Sequence, residues 1–317
     1  MIVLKNIRIG TLLILLFILL ATALPIISAK LYANFSEDIS DNVTMYSHAS
    51  GNTATMTQSE YILGISLAQV DKNYSEEVLK ALAVAMRSAS LYLKGCCKEL
   101  CYTDADYCDC ESNLPFIKRE EFIKNHSNSG NDIITSMVSA IDMTSNEFLL
   151  YKNSYALSLV HKSSYITTES SFDVFKREYP YLEPVITPEK PEISEAFIIE
   201  SELVRRLGEY FQNISVSGIK ASPTVKLNRA GRAETVNIFL QDIPASDFAE
   251  IFKVKSMNFE IEEVLGGFII RSYGSGHGVG MSLAGSQKMA EEGLTYGEIL
   301  LYYFKGCKIV DENENVY

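Results

Sequence analysis

Tryptophan is absent from the 317 residues, so no indole face is available to stack on a sugar or a base. Positive charge is scarce: 28 lysines and arginines stand against 40 aspartates and glutamates, a formal charge of −12. That balance excludes a broad electrostatic grip on nucleic-acid phosphates. Cysteine is nearly missing outside one place, with five of six between Cys96 and Cys110, too local for a disulfide framework spread through a secreted fold. There is no internal repeat and no low-complexity tract. What is present is a chain that is 47% hydrophobic, too apolar to remain disordered and long enough for one large domain or two modest ones.

The longest apolar run, Ile9 to Ala29, has 21 residues without a charge. At about 1.5 Å per residue, a helix of that length crosses a hydrocarbon core of roughly 30 Å. Lys5 and Arg8 precede it, and positive charge tends to stay cytoplasmic. The pattern predicts a single-pass cell-membrane protein, with 1–8 cytoplasmic, 9–29 as a transmembrane anchor and the rest extracytoplasmic. A cleaved signal peptide is the alternative, since Ser28-Ala29 ends in a small residue, although the run exceeds the usual apolar region of such peptides. No cysteine near its end offers a lipid attachment point. Residues 30–59, rich in Ser, Asn, Thr and Asp, suit a stalk or loosely ordered segment, which leaves 60–317 as the folded domain.

Within 60–317 the pattern predicts an α+β fold of mixed helices and antiparallel strands. Ser75-Glu76-Glu77 reads as a helix start, with a capping hydroxyl and acidic residues at the positive helix end. Leu79, Leu82, Ala83 and Met86 repeat at helical spacing, and Ala81, Ala83, Ala85 and Ala89 keep that helix slim. Helices are also expected over 119–125, 132–143, 283–292 and 296–304, and from Ser194 to about Phe211. Strands are expected over 154–161, 225–240 and 257–271, with a short helix between the last two. Pro180, Pro184, Pro188 and Pro191 mark a loop or linker.

The most unusual stretch is Tyr273-Gly274-Ser275-Gly276-His277-Gly278-Val279-Gly280-Met281-Ser282. Glycines at alternate positions let the backbone approach a neighbour closely and adopt positive φ. The spacing is not that of a dinucleotide loop, and no Gly-Lys-Ser/Thr follows. On composition alone, a ligand site and a tight strand exit around a buried His277 are equally good readings. A glutamate such as Glu77 in a first helical turn is, by itself, a solvated partner of the helix dipole.

The combination says more. Glu77-Val78-Leu79-Lys80-Ala81-Leu82-Ala83-Val84-Ala85-Met86-Arg87-Ser88 resembles the Glu-Ala-Leu-Lys-Ala-Gln-Ala-Val-Ala-Ala-Arg-Thr helix of the stage II sporulation protein D family, membrane-anchored lytic transglycosylases. The family's second hallmark, Gly-His-Gly-Val-Gly-Met-Ser, is intact at Gly276 to Ser282. Glu60-Tyr61-Ile62-Leu63-Gly64, His161-Lys162-Ser163-Ser164 and Tyr296-Gly297-Glu298-Ile299-Leu300 follow the family's order, so the resemblance runs from about Glu60 to Gly306. The chain departs from it at Leu82, where the family has glutamine, at Leu283-Ala284, where Gln-Trp is common, and at Tyr165-Ile166, where a glycine pair is usual. Eighteen tyrosines offer other aromatic faces.

The resemblance implies a peptidoglycan-degrading enzyme of sporulation and engulfment. In it Glu77 is the catalytic acid and then base at the bond between N-acetylmuramic acid and N-acetylglucosamine, and the products carry anhydro-muramoyl ends. Lys80, Arg87, His161, Ser164, His277 and Ser282 become candidates for contact with peptide-stripped glycan strands. Other implied partners are the membrane, a peptidoglycan amidase and further engulfment proteins. A non-catalytic glycan-binding relative that enhances such an amidase is the alternative. The resemblance also implies a structural zinc held by Cys97, Cys101, Cys108 and Cys110, four thiolates for a tetrahedral ion, against disulfide pairing as the alternative outside the cytoplasm.

Overall fold

The structure, a computed structural model, describes residues 42–48, 50–96, 104–109, 114–190, 192–211, 222–228 and 231–312. In chain order the elements are β1 (Asn42–Ser47), β2 (Asn52–Thr57), α1 (Gln58–Leu67), α2 (Glu76–Leu93), β3 (Tyr107–Cys108), α3 (Arg119–Asn125), α4 (Gly130–Met143), β4 (Glu147–Tyr151), β5 (Ser154–Tyr155) and β6 (Val160–His161). Then come α5 (Ser171–Phe175), β7 (Ile193–Ile199), α6 (Glu200–Phe211), β8 (Thr224–Leu227), β9 (Ala233–Ile238), β10 (Gln241–Pro244), α7 (Ala245–Phe252), β11 (Phe259–Val264), β12 (Gly267–Tyr273), β13 (Met281–Ser282), α8 (Leu283–Glu291), α9 (Tyr296–Tyr303) and β14 (Lys308–Asp311).

Helix α2 is the axis of the main unit. It begins with two acidic residues, where the helix end is positive, and nearly every side chain from Val78 to Leu91 is buried. Its alanines let α1, α4, α8, α9 and β4 pack against it from several sides. The Ser88 hydroxyl donates to Val84 O and accepts from the Leu149 N–H at 2.7 Å, and Ser158 Oγ donates to Ala85 O at 2.6 Å. These bonds satisfy polar groups that would otherwise be costly in a dry core.

A second unit is inserted between β6 and β13. Its two sheets, β10-β9-β8 and β11-β12-β7, enclose their own apolar core with α6 and α7, including Leu203, Leu207, Val236, Phe248 and Phe268. The insert is tied back by Arg232, which forms a buried ion pair with Glu169 and donates to Thr167 O at 2.8 Å, and by Gly276 N–H on Lys255 O at 2.8 Å. Pro184 and Pro188 lie just before the insert, in keeping with the linker read from the sequence.

Several expectations are corrected. No helix among the described residues is long and apolar enough to cross a membrane; the longest of them, α2, carries Glu76, Glu77, Lys80 and Arg87. The expected span 9–29 lies outside the described residues, so the fold with an N-terminal transmembrane helix and the single-pass membrane localisation are not supported. The fold is α+β, but the strands are not all antiparallel, since β1 pairs β3 and β6 pairs β13 in parallel. Part of the stretch read as a stalk is the β1–β2 hairpin, with Gly51 at φ +67° in its turn. Residues 194–199, expected as the start of a helix, belong to strand β7, because the Ile and Phe side chains there favour a sheet and β12 supplies a full partner.

Candidate active site

Glu77 stands in the first turn of α2, its side chain 31% exposed. Both carboxylate oxygens are held: Oε2 accepts from the Tyr296 N–H at 2.6 Å, at the start of α9, and Oε1 accepts from Lys80 Nζ at 3.2 Å. Lys80 also pairs with the outward-facing Glu76 at 2.5 Å, and hydrogen bonding to Glu76 holds its ammonium group above the usual lysine range. The Tyr296 hydroxyl donates to Glu147 Oε1 at 2.9 Å. Burial pushes the Glu147 carboxyl up from its ordinary range.

A second group gathers where the glycine-rich segment slides along residues 159–169. His161 Nδ1–H donates to Val279 O at 3.2 Å, and its Nε2 accepts from the Ser164 hydroxyl at 2.6 Å. Glu189 Oε1 accepts from the Ser164 N–H at 2.9 Å and from the Ser282 hydroxyl at 2.6 Å. His277 Nδ1 accepts from the Val279 N–H at 3.1 Å. The two imidazoles therefore bracket one residue, Val279, and the two acceptor nitrogens, His161 Nε2 and His277 Nδ1, require neutral rings. Gly278 has φ +79°, and a Cβ there would lie 2.9 Å from Glu169 Cγ, so a side chain would push into the buried Glu169–Arg232 pair.

The two groups frame the start of α2. The Ser75 N–H donates to Gln287 Oε1 on α8 at 2.9 Å, and Ser282 caps that same helix. Lys162 pairs with Asp71, in the loop before α2, at 3.0 Å. Aromatic side chains border the second group: the half-buried Tyr165 and Tyr273 rings lie 4.9 Å apart, and the exposed Phe175 stands 5.6 Å from His277. Two clefts of about 440 and 510 Å³ lie elsewhere, one lined by Glu60, Phe116 and Lys118, the other by Gln58, Asp142 and Asn146. Neither is lined by Glu77.

Of the residues singled out in the sequence, Glu77 and Lys80 meet in the first group, and His161, Ser164, His277 and Ser282 belong to the second. Arg87 belongs to neither. It lies ten residues beyond Glu77, about 15 Å along α2, is 4% exposed, and donates to the carbonyls of Ile141, Thr144 and Glu147. Burial lowers it to about 10, which leaves it charged at neutral pH as a core clamp on the end of α4, not a substrate contact. Glu147 and Glu189 are site residues that the sequence does not announce. Neither lies in a motif, and only the fold brings them to Tyr296 and Ser164.

Among the described residues no group of three or more His, Cys, Asp or Glu could hold a metal ion. Of the four expected zinc ligands, Cys108 is buried at the end of β3, while Cys97, Cys101 and Cys110 lie outside the described residues. The described structure therefore supplies no assembled zinc site.

The histidines make stability pH-dependent. Burial lowers His277 to about 4 and lowers His161 well below its ordinary value. Below about pH 6.5 the unfolded chain takes up protons that the folded one refuses, so stability falls as pH drops toward 4. Thermal unfolding across that range should show the loss, and His277→Gln should flatten it; an equal slope in both proteins would remove His277 from the account.

Residues 46–151 match the SpoIID family model, described as stage II sporulation protein. The chain is 30% identical over 270 residues to an uncharacterized protein of Brachyspira hyodysenteriae, covering 80% of this chain and 67% of that one. It is 24% identical over 275 residues to stage II sporulation protein D of Bacillus subtilis and 23% identical over 283 residues to that of Bacillus amyloliquefaciens, with 84% of this chain and 78% of the relative covered in each case.

Proposed function

The chain belongs to the stage II sporulation protein D family, and from that premise we propose that it is a lytic transglycosylase acting on peptide-stripped peptidoglycan strands during sporulation. The observation that carries this reading is the setting of Glu77: one partly exposed carboxyl group in the first turn of the motif helix, gripped by Lys80 and the Tyr296 N–H. In the proposed reaction Glu77 gives a proton to the oxygen between N-acetylmuramic acid and N-acetylglucosamine. It then takes the proton of the muramoyl hydroxymethyl group, whose oxygen closes an anhydro ring on the sugar.

One group thus serves as acid and then base, where ordinary glycoside hydrolysis uses two carboxyl groups and a water. Lys80 and Tyr296 fix the carboxyl, the half-buried His277 belongs to the wall past which the strand runs, and the buried His161, Ser164 and Ser282 support that wall from behind. The neighbouring Tyr165 and Tyr273 rings offer flat faces for sugars. Incubation of the protein with peptide-stripped strands, followed by mass spectrometry, should reveal anhydro-muramoyl ends; intact strands would refute the activity. Partnership with a peptidoglycan amidase and other engulfment proteins belongs to the same reading.

The cysteine cluster completes it. Bound through Cys97, Cys101, Cys108 and Cys110, a zinc ion would supply folding energy to a short loop and no open coordination position for chemistry. Cys307 takes no part: it is buried, and burial pushes its thiol up to about 12. Protein purified without added metal should carry about one zinc per chain, with six thiols reactive after unfolding. No metal and two or fewer free thiols would mean that oxidation holds the loop.

A further inference from the structure

Tyr296 touches two carboxylates with its two ends. Its backbone N–H donates to Glu77 Oε2 at 2.6 Å, and its hydroxyl donates to Glu147 Oε1 at 2.9 Å. Between them Lys80 Nζ stands 5.9 Å from the ring centroid while holding the other Glu77 oxygen at 3.2 Å. Helix α9 needs none of this to begin. Thr295 caps it in a reciprocal box with Glu298, the Thr295 hydroxyl accepting from the Glu298 N–H and the Thr295 N–H donating to Glu298 Oε2 at 2.9 Å. The Tyr296 N–H is one of the amides that a helix start leaves over, and it is spent on Glu77.

Glu147 is the fixed end of this arrangement. It opens β4, pairs in register with Asp311 of β14, and its carbonyl accepts from the buried Arg87 guanidinium at 3.1 Å. Its second carboxylate oxygen is buried without a hydrogen-bond partner among the described residues, a costly placement for a group serving packing alone. The groups facing it are Tyr296 from α9, Asp311 from β14, and Arg87 and Lys80 from α2.

We propose that Glu147 is a positioning residue for Glu77: by holding the Tyr296 hydroxyl it fixes the ring and the first peptide of α9, so that the Tyr296 N–H keeps the Glu77 carboxyl aimed at the scissile bond. The inference rests on Glu77 being the reacting group. Small displacements of a reacting group can cost about 10²-fold in rate, so the span from β4 through the tyrosine to α2 is a rate-setting element.

The test uses Tyr296→Phe, Glu147→Ala and Glu147→Gln in the full chain, with two readouts. The first is hydrogen exchange at the Tyr296 amide without substrate, read by NMR. Tyr296→Phe and Glu147→Ala should each speed it by about tenfold or more, against unchanged exchange in the α2 core. Glu147→Gln, whose amide oxygen still accepts from the tyrosine, should restore most of the protection. The second readout is turnover on peptide-stripped strands. The first two variants should lower kcat by about tenfold or more with KM nearly unchanged, the double variant should be no worse than either single one, and glutamine should recover most of the rate. Unchanged exchange in Tyr296→Phe, or a glutamine variant as exposed as the alanine one, overturns the proposal. Because exchange needs no substrate, it decides the matter even if the strands are not cleaved, an outcome that would count against the transglycosylase reading instead.

Discussion

Replacing Glu77 with glutamine is expected to cut turnover on peptide-stripped glycan strands by at least about 10²-fold, the scale of losing general acid–base catalysis, with little change in Tm. Glutamine keeps the shape, and its single amide oxygen can still accept from the Tyr296 N–H; the bond from Lys80 is lost, but Lys80 keeps Glu76 as its partner, so the framework around it should stand. Glu76 supplies the control. It is the neighbouring carboxylate on the same helix turn and shares Lys80, but its side chain is 63% exposed. Glu76→Gln should be nearly silent. Strand-cleavage assays and thermal unfolding of both variants separate chemistry from folding; full activity in the Glu77 variant would remove the mechanism.

The largest loss of stability is expected from Gly280→Ala. Gly280 has φ +76°, and a Cβ there would stand 2.1 Å from the Leu159 carbonyl oxygen, a backbone atom that cannot step aside. That same oxygen accepts from the Met281 N–H at 2.9 Å, next to the parallel pairing of β13 with β6. The methyl group would therefore pry apart the two strands that carry His161 and Ser282. A cost of about 3 kcal/mol or more follows from left-handed strain plus the displaced backbone. Gly293 shares the positive φ, at +95°, but has nothing within 4 Å of its missing Cβ. Gly293→Ala should cost only the conformational penalty, about 1–2 kcal/mol. Equal losses in denaturant titrations of the two variants would show that the close approach at Leu159 carries no weight.

The parts of the fold that could be read in the sequence are those whose signals are local. Helix α2 announces itself through its acidic start, its alanines and its apolar repeat, and α3, α4, α8 and α9 fall close to their expected bounds for similar reasons. The β1–β2 hairpin was hidden because β2 is exposed along nearly its whole length and so has a loop-like composition. Ser194 and the acidic residues around it imitate a helix start, yet the seven-residue pairing with β12 decides the conformation of 193–199. Arg87 shares a motif with Glu77, but helix geometry carries it into the core. The reverse holds for Glu147 and Glu189, which lie in no motif and join the site only through β4 and the segment before the insert.

One departure from the family pattern gains a physical meaning. Ile166 stands where a glycine is usual, and its φ is +67°, a conformation that costs a β-branched residue about 1–3 kcal/mol. The backbone there keeps the shape that a glycine would take without strain. Its carbonyl is held by the Thr187 N–H at 2.8 Å, and the adjoining Tyr165 ring packs on Tyr273.

The central claim is that a single carboxyl group closes an anhydro ring without water. The most direct test is to cleave peptide-stripped strands in heavy-oxygen water and weigh the muramoyl ends. The account predicts ends lighter than the hydrolysis product by one water and free of the heavy isotope, with the signal lost in Glu77→Gln. Muramoyl ends that carry heavy oxygen at the new reducing position would mean that water attacks the sugar, and would contradict it.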